Sequence, residues 1–600
     1  MTQPVPARRS VGWDVVLALV LGLAAATYAS RAMTLIGPGI MAEFAEDTWF
    51  QSDASQIAGE MSDRRGEHAR GSVHPIYTLL TTPPVLILKN AFGWPPPRAT
   101  GAVAIAIAGL WGAALYALLR SLRCRRPDAV LYTLLGIASA AAMFWLPIRD
   151  RYGLGSVSIM AALILIATAP NRADICTTVR WILASAIALA ITVTNWMFAI
   201  LAAALLLPVR RALAVTVGGL AVIAACWLVQ VRFVPREAFF MPTGEETRYM
   251  YRPTAERIGS VLRVATIYSM VAPHFGRLHE GGHPLPIDAG LMPPAPNQLT
   301  MQAAPLRSTE TAGTVAIVAW LAALALGLLA AFRRWREQPI WLVILLGLAG
   351  QMALHLVYGE ETFLYALHWL PLLVAVAAAA TLERFRPVAL GLAGVVLVGA
   401  SVNNAAALRR AARLYGPERE IALRQKNHRP QDPWPRGEGH VVLARPGTPE
   451  AEKSWHEPGG SLSPIKGSFG LSLWVKDSLG RFVTSSDRLP LTSVSQRFVW
   501  DSGASVPAIA TETASYRARW RLPGPGRWQL TVVPVATERV RVELVVRSVG
   551  PSGGPVRSLD WNGSRLRVND AWSLAVTPAP RNVVMGQEGD DAWVTAKPGA

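Results

Sequence analysis

Residues 48–75 read TWFQSDASQIAGEMSDRRGEHARGSVHP. That stretch holds Asp53, Glu60, Asp63, Arg64, Arg65, Glu67, His68, Arg70 and His74, directly after one apolar segment and ahead of many more. A loop so dense in charge, set between hydrophobic runs, predicts a polytopic membrane protein that handles a charged group at the bilayer face. Working outward, Arg8 and Arg9 precede the apolar run Gly12 to Ala29. That run is long for a cleaved leader and more spans follow it, so it reads as an uncleaved first helix starting in the cytoplasm. The loop after it, from about residue 34 to 73, then faces outward.

Composition agrees. Of 600 residues, 52% are hydrophobic and 16% charged, and the mean hydropathy is +0.30. The apolar residues are bunched into runs near the length of spanning helices. A net charge of +18 raises nucleic acid as a partner, but there is no zinc-finger spacing and no separate basic domain. Arginine-rich cytoplasmic loops against anionic lipid account for the excess instead. Cys124, Cys176 and Cys226 all lie in or beside the apolar part, so no disulfide framework is expected and no thiol metal site can be assembled from them.

Further spans are expected at 99–119, 129–147, 153–169, 212–232, 313–332, 339–356, 366–381 and 387–405. Basic loops at 120–127, 172–180, 209–211 and 333–337 are placed in the cytoplasm, and the parity of crossings decides two ambiguous segments. Residues 75–92, broken by Pro83-Pro84, become a juxtamembrane helix on the outer surface. The long run 181–208 becomes two short helices meeting near Asn195, which the fold tolerates where protein buries the turn. The total is about eleven spans. The outer loops are 34–98 and 233–310, the second carrying an interfacial helix among its arginines, with a short outer segment at Tyr358 to Trp369.

A membrane domain over 1–405 gives way to a charged connector helix at 406–430. From 431 to 600, segments such as GLSLWVKD and RWQLTVVPV alternate apolar and polar residues between turn formers, which predicts an all-β, sandwich-like domain on the outer side. Its tryptophans, Trp474, Trp500, Trp520, Trp528, Trp561 and Trp572, suit stacking on sugar rings and suit core packing equally.

Asp53 in the first outer loop, Met61 beyond it, and His74-Pro75 opening the next apolar helix form an ordered set. With the topology, that set resembles the GT-C superfamily of membrane glycosyltransferases, nearest the protein O-mannosyltransferase and aminoarabinose-transferase type. The resemblance covers roughly residues 10–405. It departs from the family at Ser52-Asp53, where an acidic pair is common, and at Val73-His74-Pro75 in place of Lys-Pro-Pro. It implies a donor sugar linked to polyprenyl phosphate, an acceptor that is an extracytoplasmic glycan, lipid or protein, and a bacterial inner-membrane location with the active site and C-terminal domain in the periplasm. No cofactor is firmly implied; a divalent cation is compatible.

On that reading Asp53 is the general base that takes the acceptor proton as the polyprenyl phosphate leaves. Arg64, Arg70, His74, Arg149, Arg151 and Arg263 are the candidate cations for the leaving phosphate, since arginine binds phosphate oxygens bidentately. His68, Asp150, Glu360, Glu361, Tyr365 and His368 are candidate substrate contacts; Asp150 reads equally as an arginine partner, and Glu361 and Tyr365 as helix caps. Neither HExxH, GxSxG, a Walker loop nor a dinucleotide fingerprint occurs, which leaves ATP-driven transport and soluble nucleotide-sugar chemistry without support. The alternatives are a transporter or flippase of lipid-linked sugar, which would place charges at mid-bilayer, and a periplasmic glycan-assembly protein.

Overall fold

A computed structural model describes residues 8–37, 49–64, 69–234, 250–275 and 299–414, less the single positions 171, 173, 251, 303 and 360, together with the backbone of strands between 455 and 596. His68, Glu360, the side chain of Arg70, residues 276–298 and the connector from 415 on lie outside that description. The chain divides into two compact units, one helical and one of strands.

Among the described residues, seven helices are long and apolar enough to cross a membrane: Gly12–Ile36, Pro96–Ser121, Val209–Phe233, Thr311–Arg334, Ile340–Val357, Thr362–Leu382 and Arg386–Arg413. The protein is therefore a polytopic, mostly α-helical membrane protein. The other expected spans are shorter or broken. In chain order the helices are α1 (Arg8–Ile36), α2 (Ala54–Ser62), α3 (Tyr77–Phe92), α4 (Pro96–Ser121), α5 (Arg126–Ile137), α6 (Ala140–Trp145), α7 (Arg151–Ala167) and α8 (Ile175–Ile191). They continue with α9 (Trp196–Leu206), α10 (Val209–Phe233), α11 (Ala255–Arg263), α12 (Thr311–Arg334), α13 (Ile340–Val357), α14 (Ala366–Ala379) and α15 (Arg386–Leu414).

All residues of α14 are buried, as expected for a helix apolar all round, with α4, α5, α6, α7, α12 and α13 packed against it. The long helices α1 and α4 meet through small residues. A Cβ on Gly22 would lie 2.7 Å from the Gly109 carbonyl oxygen, and one on Gly112 2.9 Å from Ala25 Cβ. Such close approach is how helices gain contact where lipid supplies no hydrophobic drive between them. At one end of this pair Asp14 takes the guanidinium groups of Arg120 and Arg126 at 2.9 and 3.0 Å, so part of the basic loop is anchored to protein.

Two breaks interrupt the apolar runs. Residues 129–147, expected as one span, split at Ala138–Ser139 into α5 and α6. Ser139 caps α6 through Ala142 N–H, Ala140 and Ala141 donate to the Met270 and Ser269 carbonyls, and Asn404 Nδ2 donates to Ala138 O. Asn404 is fully buried and also bonds Ala272 N–H and Met270 O. Asn404→Leu removes these partners together, and a loss of about 2 kcal/mol or more is expected, read as a lowered unfolding midpoint in detergent.

The second break, between α8 and α9, falls at Thr192–Asn195, near the position expected from parity. Its orphan carbonyls are satisfied by the segment after the first loop: Ile76 N–H donates to Ala190 O, and His74 Nδ1 lies 2.7 Å from Ile191 O. Val193 N–H donates back to Val73 O. Helix α3 is tied to α2 by Lys89 to Ser62 O and by Thr82 to Glu60 O. Gln230 of α10 receives Leu79 N–H and donates to Pro75 O, which settles the polar backbone at its start. In the second unit the strands pair antiparallel, for example Gly470–Lys476 with Arg541–Arg547 and Tyr516–Gly524 with Arg527–Pro534.

Candidate functional site

Part of the charged stretch gathers into a cluster of acidic and basic side chains, with the turn before α7 as its other half. Asp53 is the N-cap residue of α2, yet its side chain makes no capping bond. Its Oδ2 lies 3.9 Å from Arg151 Nη1, with the aspartate side chain 26% exposed and the arginine 4%. Arg151 opens α7 and is gripped from the far side by Glu60 of α2, also buried. Gln56 Nε2 holds the other Glu60 oxygen at 3.1 Å, and Tyr77 lies beneath the guanidinium at 5.7 Å from ring centroid to Cζ. Tyr77 in turn donates to Met61 Sδ, so the methionine of the sequence motif sits under the site rather than in it.

Asp150 caps α7 through Arg151 N–H at 2.6 Å and accepts from Ser52 Oγ at 2.9 Å. Burial, reinforced by the charge of Asp53, pushes its carboxyl up to about 7. Two acids thus pair with the Arg151 side chain while the third, Asp150, caps its backbone N–H and titrates near neutrality. A partly exposed carboxylate beside a buried cation and a second, proton-bearing carboxyl can remove a proton from one group and stabilise a phosphate oxygen on another.

The backbone entering Asp53 is strained. Phe50 and Gln51 have φ of 51° and 63°, the left-handed region, in two consecutive non-glycine residues. Each such residue costs on the order of 1 kcal/mol or more and persists only where surroundings over-determine it. Phe50 is fully buried among Trp49, Phe144, Trp145, Phe275 and Phe363, with ring centroids 5.3 to 6.3 Å away. Gln51 Oε1 receives Glu361 N–H at 3.1 Å. The turn that presents Asp53 is thereby locked from both sides.

The remaining expected residues scatter. Arg149 reaches away from the acids to Pro97 O at 2.8 Å and Thr100 Oγ1 at 3.1 Å, fastening the start of α4. His74 serves the α8–α9 break described above. Arg64 is exposed, its guanidinium 6.0 Å from the Phe233 ring. Arg70 lies in a 3-10 turn, Ala69–Ser72. Arg263 ends α11, just before a π-helical turn at Val264–Tyr268, and its buried Nε has no hydrogen-bond partner among the described residues. Glu361 is buried with both carboxylate oxygens engaged, Oε2 by Thr300 Oγ1 at 2.5 Å and Oε1 by Met301 N–H at 3.3 Å.

Tyr365 and His368 belong to a second, deeper group. Tyr365 packs on Tyr152 and His355 at 5.2 and 4.3 Å, and His368 lies 5.5 Å from Tyr152. Below them Asn195 donates to Gly155 O, and Gln351 donates to Asn195 Oδ1 at 3.4 Å. His368 Nε2 and Gln351 Oε1 are buried without partners among the described residues. Among the described residues no three His, Cys, Asp or Glu side chains converge to hold a metal.

Sequence reasoning missed Glu60, Ser52 and Gln51 as site members. Glu60 was visible seven residues after Asp53, at a spacing that returns to the same helix face, but nothing local tells a buried acid from a solvated one. The chain matches no protein-family model and no curated protein.

Proposed function

We propose that the protein is a membrane glycosyltransferase that moves a sugar from a polyprenyl-phosphate donor to an extracytoplasmic glycan, lipid or protein, with inversion at the anomeric carbon. The observation that supports this most is the convergence of Asp53, Asp150 and Glu60 on Arg151 beside the ends of apolar helices. Asp53 takes the acceptor proton. Arg151 faces the departing phosphate. Tyr152, Tyr365 and His368 border the sugar. The shorter helices complete a count of about eleven spans, with the first loop in the periplasm of a bacterial inner membrane and residues 431–600 a β-sandwich on the same side.

The test is direct. Purified protein in nanodiscs, given a polyprenyl-phosphate sugar labelled in the sugar and a mixture of envelope glycan and lipid acceptors, is expected to release polyprenyl phosphate and label an acceptor. Cysteines at position 63, exposed in the first loop, and at position 461 in intact and permeabilised cells check the sidedness; both are expected to react once the outer membrane alone is opened.

A second reading has one observation in its favour. The His368, Gln351 and Asn195 group lies within the helices, where a flippase or transporter of lipid-linked sugar would want polar contacts. Movement of labelled donor between leaflets without transfer would favour it.

A further inference from the structure

Three segments remote in sequence meet at Glu361. Its carboxylate holds Thr300 and Met301, and its N–H holds Gln51. The next residue extends the tie: Thr362 N–H donates to Gln302 Oε1 at 3.1 Å, and Gln302 Nε2 donates to Ser260 Oγ of α11 at 2.6 Å. Glu361, Thr300, Gln302 and Ser260 are all buried. Residues 300–302 therefore form a strap, fastened to the α13–α14 turn on one side and to α11 on the other. The same turn grips Gln51, one of the two left-handed residues that lead into Asp53.

We infer that Glu361 is a positioning residue: by clamping the Thr300–Gln302 strap it holds the α13–α14 turn against Gln51, and so keeps the strained Phe50–Gln51 backbone in the conformation that aims Asp53 at Arg151. The physical reason is that a left-handed pair of non-glycine residues relaxes when its restraints are released. The hydrogen bond from the Glu361 backbone is one such restraint, and its position depends on where the side chain is fastened. Glu361 needs no contact with substrate for this. The catalytic part of the inference rests on the glycosyl-transfer reading; the structural part does not.

The test uses the full chain in nanodiscs with Glu361→Gln, Glu361→Ala and Thr300→Val. Hydrogen exchange of peptides covering 49–53 and 299–302, corrected for intrinsic rates, is compared with wild type. Exchange in both segments is expected to rise about tenfold or more in Glu361→Ala, and less in Glu361→Gln, which keeps one acceptor oxygen for Thr300. Turnover is expected to fall through kcat with the donor KM unchanged. In an Asp53→Asn background, Glu361→Ala is expected to cost nothing further, because its effect runs through Asp53. Faster exchange at 299–302 with none at 49–53 would overturn the inference, as would an additional loss in the Asp53→Asn background. If Glu361→Ala does not fold, the Gln and Val variants decide by the same criteria. If wild type shows no transfer, that outcome overturns the glycosyl-transfer reading, while the exchange data still decide the clamp.

Discussion

Asp53→Asn is expected to lower turnover by about 100-fold or more, the scale of a positioned acid–base group, with folding and donor binding close to wild type. Asn keeps the size and one acceptor oxygen, and the ion pair it weakens is the longer one to Arg151, at 3.9 Å, while Glu60 still holds the guanidinium. Asp150→Asn is the comparison. If Asp150 only orients, its loss costs less than that of Asp53. The pair also carries a pH signature. Part of what keeps the Asp150 proton is the charge of Asp53, after burial itself. Removing that charge lets Asp150 ionise at lower pH, so any limb of the pH–rate profile that belongs to Asp150 is expected to move down from about 7 in Asp53→Asn. Monodisperse purification and donor binding are measured on the same preparation. A well-folded Asp53→Asn protein with near-normal transfer would remove Asp53 from the mechanism.

Arg151→Met is expected to destabilise the helical unit by about 3–5 kcal/mol, the range for removing one partner of a buried ion pair. The substitution leaves the buried Glu60 carboxylate without its cation. Adding Glu60→Gln removes the orphaned charge and is expected to restore most of the unfolding midpoint. It is not expected to restore donor binding, because the cation for the phosphate is still absent. Arg151→Lys gives a third level: the charge is kept, but an ammonium lacks the planar fork that meets Glu60 and Asp53 at once, so binding is expected to recover in part. Donor affinity in nanodiscs and thermal midpoints in the same preparations separate the two effects. Unchanged donor affinity in the Arg151→Met, Glu60→Gln protein would assign Arg151 to structure alone.

A pH dependence follows for Glu361 as well. Burial pushes its carboxyl up to about 7 against hydrogen bonds from Thr300 and Met301 that favour ionisation. A group whose folded value is raised gives stability that is complete below its ordinary value, 4.5, and is lost as pH rises through the folded one. Exchange at 299–302 is thus expected to quicken between about pH 4.5 and 7 and then level off, and Glu361→Gln is expected to flatten that dependence.

What the amino-acid sequence determined by itself was whatever depends on local composition and period. Long apolar runs must leave water, so the seven long helices were legible. The need to pair every backbone group in lipid, joined to the parity of basic loops, located the α8–α9 break near Asn195. The concentration of charge at 48–75 and of Arg-Asp-Arg at 149–151 marked both halves of the site. The tertiary structure decided which of those charges meet. Arg149 and Arg151 are two residues apart, yet one fastens α4 and the other faces Asp53. The Ala138–Ser139 break had no local sign, because its partners, Ser269, Met270 and Asn404, arrive from far along the chain. Glu60 became a site residue only once α2, packed on α3 and α4, met Arg151 at the start of α7. Burial and ion pairing depend on what packs above a side chain, and a linear pattern records only what lies beside it.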